Sequence, residues 1–344
     1  MKIEKVISFI RPHILDLVPY ASAKSDYTGQ ADIYLDANES PYGHNNRYPD
    51  PLQLRLKESL AKLKNVQKDQ LFLGNGSDEI IDLLIRMFCT PQQDKIVVFN
   101  PTYGMYQVSA DLNDVPTLSI PLDSNFQIDI NRFIEVVKQE SPKLIFICSP
   151  NNPTGNELEN VEALIENFNG IVVMDEAYKD FSTKPSLESM VDHFHNLIVI
   201  STLSKAWASA GLRIGIAVAH PTIISYLNRI KPPYNISTVN QEHALESLKN
   251  ADEVRKYVTI TNDEKQRVIK ELTSIKQVIK IFSSDANFIL IQVHNADFLY
   301  KSLIDCKIIT RNRHPIIDEA IRITIGSPTE NNILLHTIKQ IYRD

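Results

Sequence analysis

Short apolar runs rich in β-branched residues recur through the middle of the chain, and each ends on a cluster of small or polar residues. Residues 71–73 lead into Gly74-Asn75-Gly76-Ser77, 95–99 into Pro101-Thr102-Tyr103-Gly104, and 143–148 into Ser149-Pro150-Asn151-Asn152-Pro153. Residues 171–174 run into Asp175, and 197–201 into Thr202-Leu203-Ser204-Lys205. Helical patterns lie between them: apolar positions 52, 54, 56, 60 and 63 are spaced for one helix face, and 80–88 is almost wholly apolar. Continuous apolar strands alternating with helices predict an α/β fold with a mostly parallel sheet covered on both faces. Ligands of such sheets bind outside the carboxyl ends of the strands, where these polar clusters stand. Ser77 is expected to cap the helix that follows it, with Asp78 and Glu79 in its first turn.

The pattern changes at both ends. Residues 1–30 lack a strong period and are broken by Pro12 and Pro19, which predicts an arm with a short helix. A short strand is expected at 33–35, and the large domain spans 31–235. Beyond Pro232-Pro233-Tyr234, one long charged helix is predicted over 239–271, followed by strands at 278–282, 288–293, 307–310 and 321–325. That makes residues 236–344 a smaller α+β domain.

Composition narrows the function. The 344 residues carry a formal charge of -6 with the signs interspersed, so no basic face or spare basic module is offered to nucleic acid. Cys89, Cys148 and Cys306 show no metal-ligand spacing and read as buried thiols of a reducing cytoplasm. Charges within residues 1–12 break any long apolar core, so neither a signal peptide nor a membrane span is expected there. Only ten glycines occur. Gly43, Gly74, Gly76, Gly104, Gly155, Gly211 and Gly215 fall in or beside the polar clusters, where backbone must turn tightly or approach a ligand.

The chemistry centres on Lys205. A strand that delivers an amine among Thr202, Ser204 and Arg213 supplies a nucleophile able to condense with an aldehyde, plus the donors a phosphate monoester needs. Free amides at the start of a helix at Ser77 and Asp78 add a second anion-binding element. Amine and phosphate cradle together suggest pyridoxal 5′-phosphate. Asp175, issuing from an apolar strand, would be an expensive buried carboxylate unless it stabilised a protonated ring nitrogen. Asn152 and Tyr178 can donate to a phenolic oxygen.

The run Ser201-Thr202-Leu203-Ser204-Lys205-Ala206, followed by Gly211-Leu212-Arg213 and Gly215, resembles the cofactor-lysine signature of fold-type I aminotransferases. Ser149 to Gly155 and Asp175-Glu176-Ala177-Tyr178 stand upstream in that family's order, and the likeness covers most of the chain. Arg11-Pro12-His13-Ile14, Leu35 to Glu39, Arg47-Tyr48-Pro49-Asp50-Pro51 and Lys231-Pro232-Pro233-Tyr234-Asn235 resemble the histidinol-phosphate aminotransferase branch. Trp207 and Ser40 depart from common family residues without touching a chemical role.

The resemblance implies transamination of L-histidinol phosphate with 2-oxoglutarate, Lys205 moving the proton at substrate Cα. It implies Tyr103 stacked on one face of the cofactor ring and Ala177 against the other. Phosphate would be held by Ser77, Asp78, Thr202, Ser204 and Arg213, and by Tyr48 from the other subunit of a homodimer. Substrate would meet Arg322, Asn152, Tyr20 and one of Arg311 and Arg313, of which Arg311 fits the family's Ile-x-Arg pattern. No metal is implied. Competing expectations are an aromatic or broad-specificity aminotransferase, and a decarboxylase of phosphorylated amino acids. A ligand-sensing regulator would need the DNA-binding module this chain lacks.

Overall fold

A computed structural model of the chain describes residues 1–20 and 32–342. Its larger sheet has seven strands: β1 (Leu71–Asn75), β2 (Ile96–Asn100), β3 (Thr117–Pro121), β4 (Leu144–Cys148), β5 (Ile171–Asp175), β6 (Leu197–Thr202) and β7 (Ile214–Ala219). Their order is β1-β7-β6-β5-β4-β2-β3. Neighbours from β6 through β3 pair in parallel, whereas β7 is antiparallel to both β1 and β6. The connection from β6 to β7 is the lysine loop, too short for the helical crossover that parallel pairing requires.

The unbroken apolar runs are explained by burial on both faces. Phe146, Val173, Ile198 and Ile200 pack on one side with Leu84 and Phe88 of the helix Ser77–Phe88. Ile145, Ile147, Val172 and Val199 pack on the other with Leu56 and Leu60 of the helix Leu54–Lys64. Adjacent residues of one strand thus feed different cores, the period-two consequence of the pleat. Near the amino end, Val6, Ile10 and Ile14 join the first core, and the Arg11 amide donates to the Met87 carbonyl. Residues 21–30 of the expected arm lie outside the described residues.

The second sheet is antiparallel: β8 (Val278–Ile281), β9 (Phe288–Val293), β10 (Arg311–Asn312) and β11 (Ala320–Thr324), in the order β10-β11-β9-β8. Ile289, Ile291, Ile321 and Ile323 form its core with Val268 and Leu272 of the helix Ala251–Thr273 and Leu335 of the helix Pro328–Ile341.

Several expectations are corrected. Residues 33–35 form no strand; Ile33 and Leu35 are exposed, with no packed face to hold them extended. No strand forms at 307–310: Lys307 takes a left-handed backbone conformation just after the preceding helix, and the short strand β10 begins only at Arg311. The helix expected over 239–271 is two, Thr238–Lys249 and Ala251–Thr273. It breaks at Asn250, whose side chain donates to the Glu246 carbonyl and competes with the helical ladder. Ala244 of the first packs into the large-sheet core. Strands β3 and β7 were not singled out in advance. Cys89 and Cys148 are buried as expected, but Cys306 is exposed at the end of the helix Ala296–Asp305. Among the described residues no helix is long and apolar enough to cross a membrane.

Candidate active site

The polar strand ends converge at one edge of the large sheet. After β1 the chain turns at Gly76, whose positive φ of 78° makes it the N-cap; Ser77, the expected cap, is the first helical residue instead. A side chain at Gly76 would place Cβ 2.3 Å from Arg213 Nη2, and one at Gly215 would lie 2.3 Å from the Gly76 carbonyl carbon. Glycine at both positions therefore lets β7 and the Arg213 guanidinium press against the turn. The Gly76 amide donates to the Arg213 carbonyl at 2.8 Å. The Ser77 and Asp78 amides have no acceptor among the described residues and stand at a helix start, where the dipole favours an anion. Thr202 Oγ1 lies 2.9 Å from Ser204 Oγ and 3.0 Å from the Ile214 carbonyl, so it is occupied within the protein and backs Ser204. Turn, Ser204 and Arg213 fit a phosphate monoester.

Lys205 follows at the next position, open to the cleft, with Nζ 5.4 Å from the centre of the Tyr178 ring. The protein packed around it and the charge of Arg322 push its ammonium below the ordinary lysine value, against Asp175 and Asp78. An amine so placed is easier to hold neutral, as a nucleophile and proton carrier must be.

Asp175 closes β5 and is 2% exposed. Burial pushes its carboxyl up to about 6, while the Tyr106 hydroxyl, 2.6 Å from Oδ2, and the Ala177 amide, 3.0 Å from Oδ1, favour the charged form. Tyr106 is fully buried and stacks on Phe146, with ring centroids 4.8 Å apart. This hydroxyl was not anticipated. The available signal was its place three residues after Tyr103, in the first turn of the helix Met105–Leu112, where its ring meets the Tyr103 ring edge-on with centroids 5.6 Å apart.

Tyr103 is held by Thr102, which donates to Asn151, and by Asn151, which donates to the Pro101 carbonyl. Its own hydroxyl donates to Asp78 Oδ1 at 2.9 Å, tying it to the anion-binding turn. Asn152 Nδ2 lies 3.4 Å from the Tyr178 hydroxyl, and Asn152 Oδ1 accepts from Arg322 Nη1 of the small sheet. Arg322 also lies over Phe288, 5.2 Å from the ring centre. It stands on the strand face opposite Ile321 and Ile323, which are buried, as alternation predicted. Arg311 is its direct cross-strand partner. Arg313, two residues on, has its Nε buried with no hydrogen-bond partner among the described residues.

Lys205, Asp175, Tyr178, Tyr103, Asn152, Ala177, Ser77, Asp78, Thr202, Ser204, Arg213, Arg322 and Arg311 are thus assembled around one cleft. Tyr20 and Tyr48 are not. Tyr20 is 74% exposed, and Tyr48 stacks on Tyr234 with centroids 4.4 Å apart.

The chain matches the family described as aminotransferase class I and II over residues 27–338. It is 46% identical over 337 residues to a histidinol-phosphate aminotransferase of Parabacteroides distasonis, covering 96% of this chain and 97% of that protein. It is 45% identical over 341 residues to one of Cytophaga hutchinsonii, covering 96% and 98%. The crystal structure of the histidinol-phosphate aminotransferase from Clostridium acetobutylicum overlays with a TM-score of 0.79 at 27% identity, over 87% of this chain and 91% of that one. That from Sinorhizobium meliloti, in complex with pyridoxal 5′-phosphate, overlays with a TM-score of 0.80 at 22% identity, over 89% and 90%, a likeness of fold.

Proposed function

Because the chain belongs to the aminotransferase class I and II family, we propose that it transfers the amino group of L-histidinol phosphate to 2-oxoglutarate. The products are imidazole-acetol phosphate and L-glutamate, a step of histidine biosynthesis. The observation that carries the substrate is the opposition of Arg311 and Arg322 across β10 and β11, with Arg322 reaching Asn152 at the cleft. Paired guanidiniums bind a phosphate or a carboxylate through parallel hydrogen bonds, so one site can serve both half-reactions.

Bound pyridoxal 5′-phosphate supplies an aldehyde that accepts amino groups and an aromatic ring that takes up the electron pair left at substrate Cα. The protein's share is positioning and proton transfer. Lys205 Nζ removes the Cα proton and returns one on the reverse half-reaction; its lowered proton affinity suits it to both. Asp175 offers a negative charge to the ring nitrogen, and Tyr106 and Ala177 keep that charge in place. Ser77, Asp78, Ser204 and Arg213 would hold the phosphate, and Tyr103 and Ala177 would flank the ring. Asn152 and Tyr178 would donate to its phenolic oxygen.

A homodimer accompanies this reading. Ile33, Leu35, Tyr42 and Tyr48 are exposed on one segment of the chain, an apolar surface that a second copy would cover, and Tyr48 would then complete the other subunit's phosphate site. The three free cysteines support a cytoplasmic setting.

The test follows the cofactor spectrum through each half-reaction separately, with histidinol phosphate, histidinol, phenylalanine and glutamate as donors. Histidinol phosphate should be preferred over histidinol and phenylalanine. Arg322→Lys should impair both half-reactions, and Arg311→Ala should harm histidinol phosphate more than glutamate. Equal reaction of histidinol and its phosphate would refute the substrate assignment and leave the aminotransferase activity standing.

A further inference from the structure

The segment Lys231 to Asn235 was singled out by its sequence yet has no part in the chemistry above. Its last residue lies against the anion-binding turn. Asn235 Nδ2 donates both to the Leu73 carbonyl at 3.0 Å and to Glu79 Oε2 at 2.8 Å. The same Glu79 oxygen accepts the Asn75 amide, and Asn75 Nδ2 in turn donates to the Asn235 carbonyl at 3.2 Å. Asn235 Oδ1 accepts from Lys231 Nζ and from Gln53 Nε2, each at 3.2 Å. Every donor and acceptor of this carboxamide is therefore used, which fixes its orientation.

Glu79 sits in the first helical turn, and its carboxylate folds back onto the amide just before the Gly76 cap. A carboxylate here has two possible effects. Folded back, it secures Asn75 and leaves the Ser77 and Asp78 amides for a ligand. Released, it is a negative charge free to move over a site meant for an anion, and it can take those amides itself. Asn235 holds it in the first state. Lys231 supplies the compensating cation through the carboxamide; it is buried, donates also to the Pro232 and Pro233 carbonyls, and its proton affinity is lowered by burial against the pull of Glu79 and Asp50.

We propose that Asn235 is a positioning residue for cofactor phosphate: it clamps Glu79 so that the Asn75-to-Asp78 turn presents its free amides to the phosphate. The inference rests on the reading that this turn takes the phosphate. It predicts a defect confined to phosphate recognition, which a general packing role would not give.

The experiment titrates the apoenzyme with pyridoxal 5′-phosphate and with unphosphorylated pyridoxal, following absorbance. Asn235→Asp keeps the size but sets a second carboxylate against Glu79. Its Kd for the phosphorylated cofactor should rise about 10- to 100-fold, the loss of one charge-assisted hydrogen bond, with pyridoxal affinity changed less than about twofold. Adding Glu79→Gln to Asn235→Asp again sets one carboxylate against one carboxamide and should recover much of the loss. Asn235→Ala removes the carboxamide without new charge and should give a smaller loss of the same phosphate-specific kind, which keeps the test decisive if the aspartate variant does not fold. Unchanged affinity, equal weakening for both ligands, or a double variant no better than the single overturns the proposal. A wild-type apoenzyme that binds pyridoxal as tightly as its phosphate removes the phosphate assignment itself, and the proposal with it.

Discussion

Replacing Asp175 by asparagine should make the apoprotein more stable as it disables the enzyme. The carboxyl is 2% exposed, and burial raises it from the ordinary 3.8 to about 6 in the native state. Between those values the native protein binds a proton that the unfolded chain does not. Stability contributed by this group is therefore fully present below about pH 4 and is lost as pH rises through about 6. With ~1.4 kcal/mol for each tenfold in proton affinity, the ionised side chain costs the native apoprotein about 3 kcal/mol at pH 8 and about half that at pH 5. Asparagine removes this cost but matches its surroundings less well. The Tyr106 hydroxyl and the Ala177 amide both donate, and an amide nitrogen must face one of them. That mismatch takes back about 1–2 kcal/mol at either pH. Denaturant melts of wild-type and Asp175→Asn apoproteins should show the difference moving in the variant's favour by about 1.5 kcal/mol between pH 5 and pH 8. Turnover, in contrast, should fall by orders of magnitude at full cofactor occupancy, since the ring loses its counter-charge. A stability difference that does not vary with pH, or near-normal turnover, would refute the reasoning.

Lys205→Ala should abolish transamination, and borohydride reduction of the wild-type holoenzyme followed by peptide mapping should place the label on Lys205; label on another lysine defeats the assignment. Gly76→Ala should force Arg213 aside, since the new Cβ would stand 2.3 Å from Nη2 at a backbone φ of 78°. Strain of about 1–2 kcal/mol and weaker binding of the phosphorylated cofactor are expected, read by thermal melts and titration. A variant unchanged in both would show that the close approach is not needed.

Much of the site was legible along the chain because a parallel sheet writes its own pattern. A strand buried on both faces must be apolar throughout, so the first polar residue after each run marks the strand end where ligands bind, and Asp175, Asn152 and Lys205 stand there. The lysine loop and the glycines that yield to Arg213 are likewise local features. What the sequence could not determine are pairings between segments far apart. β7 runs antiparallel because the chain returns from β6 through a short loop, and β3 is a partly exposed edge strand without the unbroken apolar run of its neighbours. The Tyr106 hydroxyl reaches Asp175 only because β2 and β5 flank β4, and Arg322 meets Asn152 only because the small sheet packs beside the cleft. Asn235 meets Glu79 across 156 positions of sequence. Such contacts arise from where the topology brings each segment. A period of two or of three to four residues reports which face of an element is buried, and carries no record of which distant residue will be waiting there.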